Sequence, residues 1–164
     1  MENFDWTKFT LKIAINATMH QLYDAWAKPA NIEAWFLSDA SYIDVNGHAL
    51  DKHAHVKKGD VYAWQWHTYD LTGRGTITEA NGTDFFQFTF AGECLVDVRL
   101  IPYKDQVIVE LTQYDIPTDD RSKREYRLGC HEGWSFFLVN LKSVYEGGHD
   151  LRNMDGELKS VVNA

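Results

Sequence analysis

Cysteine is scarce in this chain, and long apolar runs are missing. Only Cys94 and Cys130 occur among 164 residues, far apart and in no metal-ligand spacing, so we expect reduced thiols and neither a disulfide framework nor a bound metal. No apolar stretch approaches the ~20 residues of a membrane span. The N-terminal residues show no basic or apolar region of a signal peptide. These absences favour a cytoplasmic protein without a cofactor.

Basic residues are also few. The chain has 16 basic and 24 acidic residues and a net charge of −8, which weighs against nucleic acid and anionic membranes as partners. Apolar residues make up 45% and aromatic residues 14%, enough for a substantial core. The length favours one domain over residues 1–164, with a core at about 9–148 and a tail at 149–164.

The strongest helical pattern covers residues 122–147. Ser122 and Glu125 match a capping box at its start, and Gly147 and Gly148 are typical of its end. Apolar side chains recur between them at the spacing of one helical face: Tyr126, Cys130, Trp134, Phe137, Leu138, Leu141 and Tyr145. A helical face with this many aromatic side chains needs a wide apolar surface to pack against, and a set of strands would supply that surface.

The rest of the chain predicts that sheet. Apolar and polar residues alternate at 9–15, which indicates a strand. A capping box at Thr18 and Gln21 opens a helix that Pro29 ends. A second short helix follows at 30–36. Short strands joined by tight turns then indicate an antiparallel meander, at 41–45, 61–67, 75–79, 84–90, 93–101 and 106–114. We therefore predict an α+β fold in which a curved antiparallel sheet of about six to seven strands surrounds the long C-terminal helix, with two short helices after the first strand.

The order and spacing of several motifs resemble the START-like, or helix-grip, superfamily, and within it the branch related to the activator of Hsp90 ATPase (Aha-type proteins). The matching features are Ala17-Thr18 through Trp26 with Pro29 and Trp35, the strand Gly75-x-Ile77-x-Glu79, and His131-Glu132-Gly133-Trp134 leading to Leu138, Leu141 and Lys142. The resemblance runs from about Phe9 to Gly148. It implies a cavity between sheet and helix that relatives use for lipids, hormones or polyketide-like molecules. It also implies a second chaperone-contacting domain in the eukaryotic activator, for which this chain is too short.

Candidate ligand-binding residues follow from strand and helix periodicity. Aromatic residues at 62, 64 and 66 share one strand face, as do those at 86, 88 and 90. Gly129 and Gly133 lie one turn apart in the helix, either to leave room for a ligand or to let the helix approach the sheet closely. If the tryptophans pointed outward, they would instead form a partner interface. The predicted ligand-binding set is Trp35, Phe36, Tyr62, Trp64, Trp66, Phe88, Cys130, His131, Trp134 and Phe137.

Catalytic and metal chemistry find little support in the sequence. His48, His53 and His55 fall in one polar loop without completing a zinc spacing, so we interpret them as solvated. His131 is either a structural histidine paired with a strand residue or an acid–base group. Cys130 and His131 are adjacent and point about 100° apart on a helix, so they form no dyad. We expect no catalytic residue and favour a non-enzymatic protein.

Three hypotheses remain. The leading one is a monomeric or homodimeric protein that buries a small apolar or aromatic molecule. The alternative is an interaction module with a filled core that contacts a chaperone or another protein through the sheet or through a basic patch. That patch would comprise Arg121, Lys123, Arg124 and Arg127, whose default interpretation is a solvated face. The third is a cyclase- or hydrolase-like enzyme that uses His131.

Overall fold

The computed structural model describes residues 4–163, and their strands form one seven-stranded antiparallel sheet. The strands are β1 Phe9–Ile15, β2 Asp39–Ile43, β3 Val61–Gln65, β4 Thr72–Ala80, β5 Phe85–Phe90, β6 Cys94–Tyr103 and β7 Gln106–Tyr114. Their order across the sheet is β1-β7-β6-β5-β4-β3-β2. Consecutive strands from β2 to β7 are therefore neighbours, and β1 lies beside β7 at the other edge. The predicted meander and α+β architecture are confirmed.

Two short helices and one long helix complete the fold. The short helices are α1 Met19–Ala27 and α2 Pro29–Glu33, and the C-terminal helix joins α3 Asp120–Ser122, a π-helical segment Lys123–Gly129 and α4 Cys130–Tyr145. The capping box before α1 is confirmed, because the Thr18 hydroxyl accepts from the Gln21 amide at 3.1 Å and the Gln21 side chain accepts from the Thr18 amide at 3.0 Å. No helix within residues 4–163 is long and apolar enough to cross a bilayer.

The C-terminal helix begins differently from the prediction. The capping box at Ser122 and Glu125 is wrong: Asp119 caps the helix and accepts from the Ser122 amide at 3.0 Å. Ser122 is already helical, and Glu125 instead accepts a hydrogen bond from Arg121. The π-helical segment was not predicted either. Within it the amide bonds reach five residues back, as from Cys130 to Glu125, which widens the helix beside the sheet.

The second short helix ends at Glu33 and not at Phe36. The chain turns there, and the Glu33 carboxylate accepts from the Ala40 amide at 2.8 Å, at the start of β2. The residues of this turn are nevertheless buried: Trp35, Phe36 and Leu37 are each at most 2% exposed.

The inner face of the sheet packs against the C-terminal helix. Tyr62 and Trp64 of β3 and Phe88 of β5 are buried, so the aromatic face of β3 points inward, which decides between the two orientations that the sequence leaves open. Gly75 lies opposite Tyr62 in β4, where an added Cβ would lie only 2.5 Å from the Tyr62 hydroxyl. Glycine is therefore required at that position. Trp134, Phe137, Leu138 and Leu141 of α4 are buried against this face.

The segment that follows α4 lies against the domain. Arg152 donates to the backbone oxygens of Leu37 and Glu33, both at 3.0 Å, and pairs with Asp150 at 2.6 Å. The side chain of Arg152 is only 5% exposed. Asn140 of α4 adds a hydrogen bond to Asp150 at 3.0 Å. The residues that the sequence assigns to a tail thus hold together α2, the turn after it and α4.

Candidate functional site

A pocket of about 480 Å³ lies between the sheet and the C-terminal helix. The sheet side and its connecting loops contribute Phe36, Trp66, Tyr69, Leu71 and Phe90. The helix side contributes Glu125, Gly129, Cys130, Gly133, Trp134 and Phe137. Nearly all of these side chains are apolar. The pocket can therefore hold a molecule by burying it, with few directional contacts.

Aromatic rings support one another around the pocket. Phe36 stacks on Trp134 with ring centroids 4.9 Å apart, and meets Trp66 edge-on at 5.6 Å. Phe90 lies 5.2 Å from the Trp134 ring. Such ring pairs contribute about 0.5–1.5 kcal/mol each beyond their buried area. These ring contacts consequently hold the pocket walls together by packing.

Gly133 leaves space on the helix side of the pocket. A Cβ added there would meet no atom within 4 Å, whereas one at Gly129 would lie 3.4 Å from the Arg124 carbonyl oxygen. If Gly133 allowed close approach of the helix to the sheet, its Cβ would clash with a strand. The geometry therefore favours the room-leaving interpretation at this position.

The polar group of Trp134 is turned to the protein interior. Its indole nitrogen donates to the Gln113 side-chain oxygen at 3.1 Å, and both residues are buried. The side-chain nitrogen of Gln113 has no hydrogen-bond partner among residues 4–163. This bond fixes the indole and leaves its N–H unavailable to a pocket ligand.

One carboxylate, Glu125, lines the pocket. It accepts from Arg121 at 2.9 Å and lies 3.6 Å from Arg124. The hydrogen bond from Arg121 lowers the pKa of Glu125. Glu125 is thus already paired, and its lowered pKa makes it a poor general acid and a weak general base at neutral pH.

Cys130 is an apolar lining group and not a nucleophile. Burial raises the pKa of its thiol to about 11, so the thiolate is rare near neutral pH. This agrees with the expectation of an inert thiol.

The ten predicted ligand-binding residues divide into two groups. Those that line the pocket are Phe36, Trp66, Cys130, Trp134 and Phe137. Those that lie outside it are Trp35, Tyr62, Trp64, Phe88 and His131. Four of this second group are buried in the core, each at most 4% exposed, and support the walls from behind.

His131 faces away from the pocket. Its ring meets Phe9 of β1 edge-on at 5.2 Å, on the opposite side of α4. His131 is therefore not among the residues that line this pocket, since neighbours on a helix point about 100° apart and Cys130 takes the pocket side. His131 packs on a strand residue by its ring, without a side-chain hydrogen bond to any residue of 4–163.

The histidine loop and the basic patch also differ from their sequence interpretation. His55 is not simply solvated, because it lies 2.6 Å from the buried carboxylate of Asp24.

Arg127 is buried, stacks over Phe4 and Phe9, and donates to the Asp5 backbone oxygen at 3.0 Å. Arg127 is therefore not part of the predicted basic patch. No group of three or more His, Cys, Asp or Glu within residues 4–163 is arranged to hold a metal ion.

Sequence reasoning missed three lining residues: Tyr69, Leu71 and Glu125. Tyr69 and Leu71 belong to the connection between β3 and β4, which carries no periodic pattern. Glu125 reaches the pocket because the π-helical segment alters the angular positions of its residues. A lone aromatic and a leucine in an otherwise polar connection were the only available signal.

Comparisons with known proteins agree with this fold. The model of a family described as Activator of Hsp90 ATPase homolog 1-like protein matches residues 16–146. No curated protein gives a significant match. Among solved structures, a protein of Staphylococcus saprophyticus is similar with a TM-score of 0.70 and 19% identity, over 88% of this chain and 96% of that one.

Two further structures carry informative descriptions. The Aha1 dimer from Colwellia psychrerythraea has a TM-score of 0.68 at 17% identity, over 86% of this chain and 97% of that one. An Hsp90 activator from Plasmodium falciparum has a TM-score of 0.60 at 17% identity, over 84% and 95% of the two chains. At these identities the similarity establishes the fold alone.

Proposed function

The chain belongs to the family of activator of Hsp90 ATPase homolog 1-like proteins, and from that premise we propose that it binds a small apolar or aromatic molecule between its sheet and its C-terminal helix. The observation that carries the proposal is the pocket of about 480 Å³ with aromatic walls. Its volume lies within the roughly 300–1,000 Å³ of small-molecule sites.

The physical basis for binding is burial of apolar surface. Each Å² removed from water contributes about 25 cal/mol, and the preformed ring walls limit the ordering cost that a flexible site would incur. A flat ligand between Phe36, Phe90 and Trp134 would gain offset or edge-on ring contacts. No acid–base pair faces the space, so the proposal is binding without turnover.

Fluorescence with an apolar reporter tests this proposal. Pyrenebutanol titrated into the protein should bind saturably with one site per chain and accept energy from the pocket tryptophans. Trp66→Phe should reduce that energy transfer. The matched control is Trp6→Phe, because Trp6 lies outside the pocket, against Phe4. Linear, unsaturable uptake of the probe, or equal signals from both variants, would count against the pocket as the binding site.

Contact with a chaperone is the second candidate. It is supported by the family description and by the Hsp90 activator of Plasmodium falciparum, and a dimer by the Colwellia relative. A filled core is not needed for this candidate, since Leu128 of the π-helical segment and Val139 of α4 are each 49% exposed and neither lines the pocket. Stimulation of Hsp90 ATP hydrolysis by the protein, lost in Val139→Glu, would support this candidate, and unchanged hydrolysis at saturating protein would oppose it.

A further inference from the structure

A second hollow adjoins the aromatic pocket and differs from it in charge. Its volume is about 380 Å³. It shares Trp66, Leu71, Phe90, Glu125 and Cys130 with the pocket. The two spaces therefore lie side by side along these shared residues.

Two arginines distinguish this second space, which we call the arginine hollow. Arg74 of β4 and Arg121 of α3 both line it. Arg74 is exposed and forms no ion pair or side-chain hydrogen bond with any residue of 4–163. Arg121 is 72% exposed and is paired with Glu125 at 2.9 Å. The chain as a whole has a net charge of −8, whereas these two guanidinium groups place positive charge beside the apolar pocket.

The neighbouring acids do not cancel these arginines. Glu125 is shared between Arg121 and Arg124. Asp119 precedes them, but its side chain is occupied in capping the helix at Ser122. Asp120 is the remaining acid of this turn, and Arg74 approaches from a different element. A ligand group in the hollow therefore meets guanidinium donors of which one, that of Arg74, is unpaired within residues 4–163.

We infer that the ligand is an amphiphile with a carboxylate, whose apolar body fills the aromatic pocket and whose carboxylate lies between Arg74 and Arg121; this inference rests on the proposed function. Guanidinium groups present planar N–H forks that match carboxylate oxygens. Arg121 already holds the carboxylate of Glu125, so a ligand carboxylate can replace or share that contact. An amine at the same place would face two like charges.

A matched series of probes tests the inference. Pyrenebutanoic acid, pyrenebutanol and pyrenebutylamine have the same apolar body and differ in the charge of one end. At neutral pH and low salt, the acid should bind several-fold tighter than the alcohol, and the amine weakest. Arg74→Gln and Arg121→Gln should each weaken the acid about threefold, with little effect on the alcohol, as expected for exposed charge pairs.

Arg99→Gln is the control, because it removes the same charge from an exposed strand residue that pairs with Asp97 outside both hollows. If no probe binds, the proposed function fails and the inference with it. If all three bind alike, if the amine binds tightest, or if Arg99→Gln reduces the preference for the acid as much as the other variants do, the inference is overturned while the pocket remains a binding site.

Discussion

The indole N–H of Trp134 donates a hydrogen bond to the side-chain oxygen of Gln113 across 3.1 Å of buried space. This bond joins the helix wall of the pocket to β7. Replacement of Gln113 by leucine would leave the indole N–H without a partner, although it would also remove the unpaired nitrogen of Gln113. We predict a net loss of about 1 kcal/mol in the free energy of unfolding.

Urea denaturation followed by tryptophan fluorescence measures that loss. Gln65→Leu is the control, since Gln65 is exposed in β3 and its replacement should change stability by no more than about 0.5 kcal/mol. Equal stability of Gln113→Leu and the wild type would show that the bond is not needed to hold Trp134.

Gly133 offers a direct way to fill the pocket. Gly133→Ala should stabilise the helix by up to about 1 kcal/mol, because the new methyl group meets open space and alanine is the better helix former. Gly133→Leu should fold equally well but weaken pyrenebutanol binding at least roughly tenfold by occupying pocket volume. Thermal unfolding and probe titration of the two variants together check this. Intact probe affinity in the leucine variant would place the binding site elsewhere.

Arg152 should stabilise the domain from its C-terminal segment. Its guanidinium serves two backbone oxygens and Asp150 while remaining 5% exposed. We predict that Arg152→Met lowers the free energy of unfolding by about 2 kcal/mol and speeds tryptic cleavage after Lys159. Arg124→Met, at a side chain that is 75% exposed, should do neither. Unaltered cleavage in Arg152→Met would mean that other contacts hold the segment.

Stability at acid pH should depend on Asp24. Burial alone would raise the pKa of Asp24, but hydrogen bonds with Lys28 and His55 lower it below its usual value. As the pH falls, the Asp24 carboxylate is therefore protonated in the unfolded chain before it is protonated in the folded chain. The stability that Asp24 contributes is present above about pH 4. It is lost as the pH falls through the lower pKa of the folded state. Urea unfolding across this range should show a flatter profile for Asp24→Asn, and parallel profiles would contradict the assignment.

Cys130 should report on pocket occupancy. In a Cys94→Ala background Cys130 is the sole thiol, and burial raises its pKa to about 11. We predict slow alkylation by iodoacetamide at neutral pH, a rate that climbs as the pH approaches 11, and further slowing by bound pyrenebutanol. Mass spectrometry over time measures the rate. Protection that is absent at saturating probe would exclude the probe from this wall.

The sequence predicts the architecture well because the fold depends on patterns that are local. The alternation of β7 over Gln106–Tyr114 gives its bounds without error, and the Thr18 capping box needs only four consecutive residues. A period of two likewise shows that the aromatic residues of β3 share one face and that those of β5 do, although it does not tell which face of β3 points inward.

The residues that line the candidate site are harder to predict from such patterns. The face of β3 that points inward also holds Trp64, fully buried, and periodicity cannot separate a residue that lines a hollow from one that supports it. The sequence also places Cys130 and His131 in one ligand-binding set, although neighbours on a helix point about 100° apart, and only Cys130 lines the pocket. The contacts of Arg152 and Arg127 join residues more than 100 positions apart, beyond any local signal.

The π-helical segment at Lys123–Gly129 has a consequence for insertions and deletions. A turn whose amides reach five residues back contains one residue more than the α-helical turn it replaces. Deletion of a single residue there should therefore let the helix close into regular geometry without shifting α4. The same deletion would change the angular positions of residues inside the segment, Glu125 among them, so a change in length of one residue would alter the Glu125 side of the pocket while the rest of the domain stays as it is.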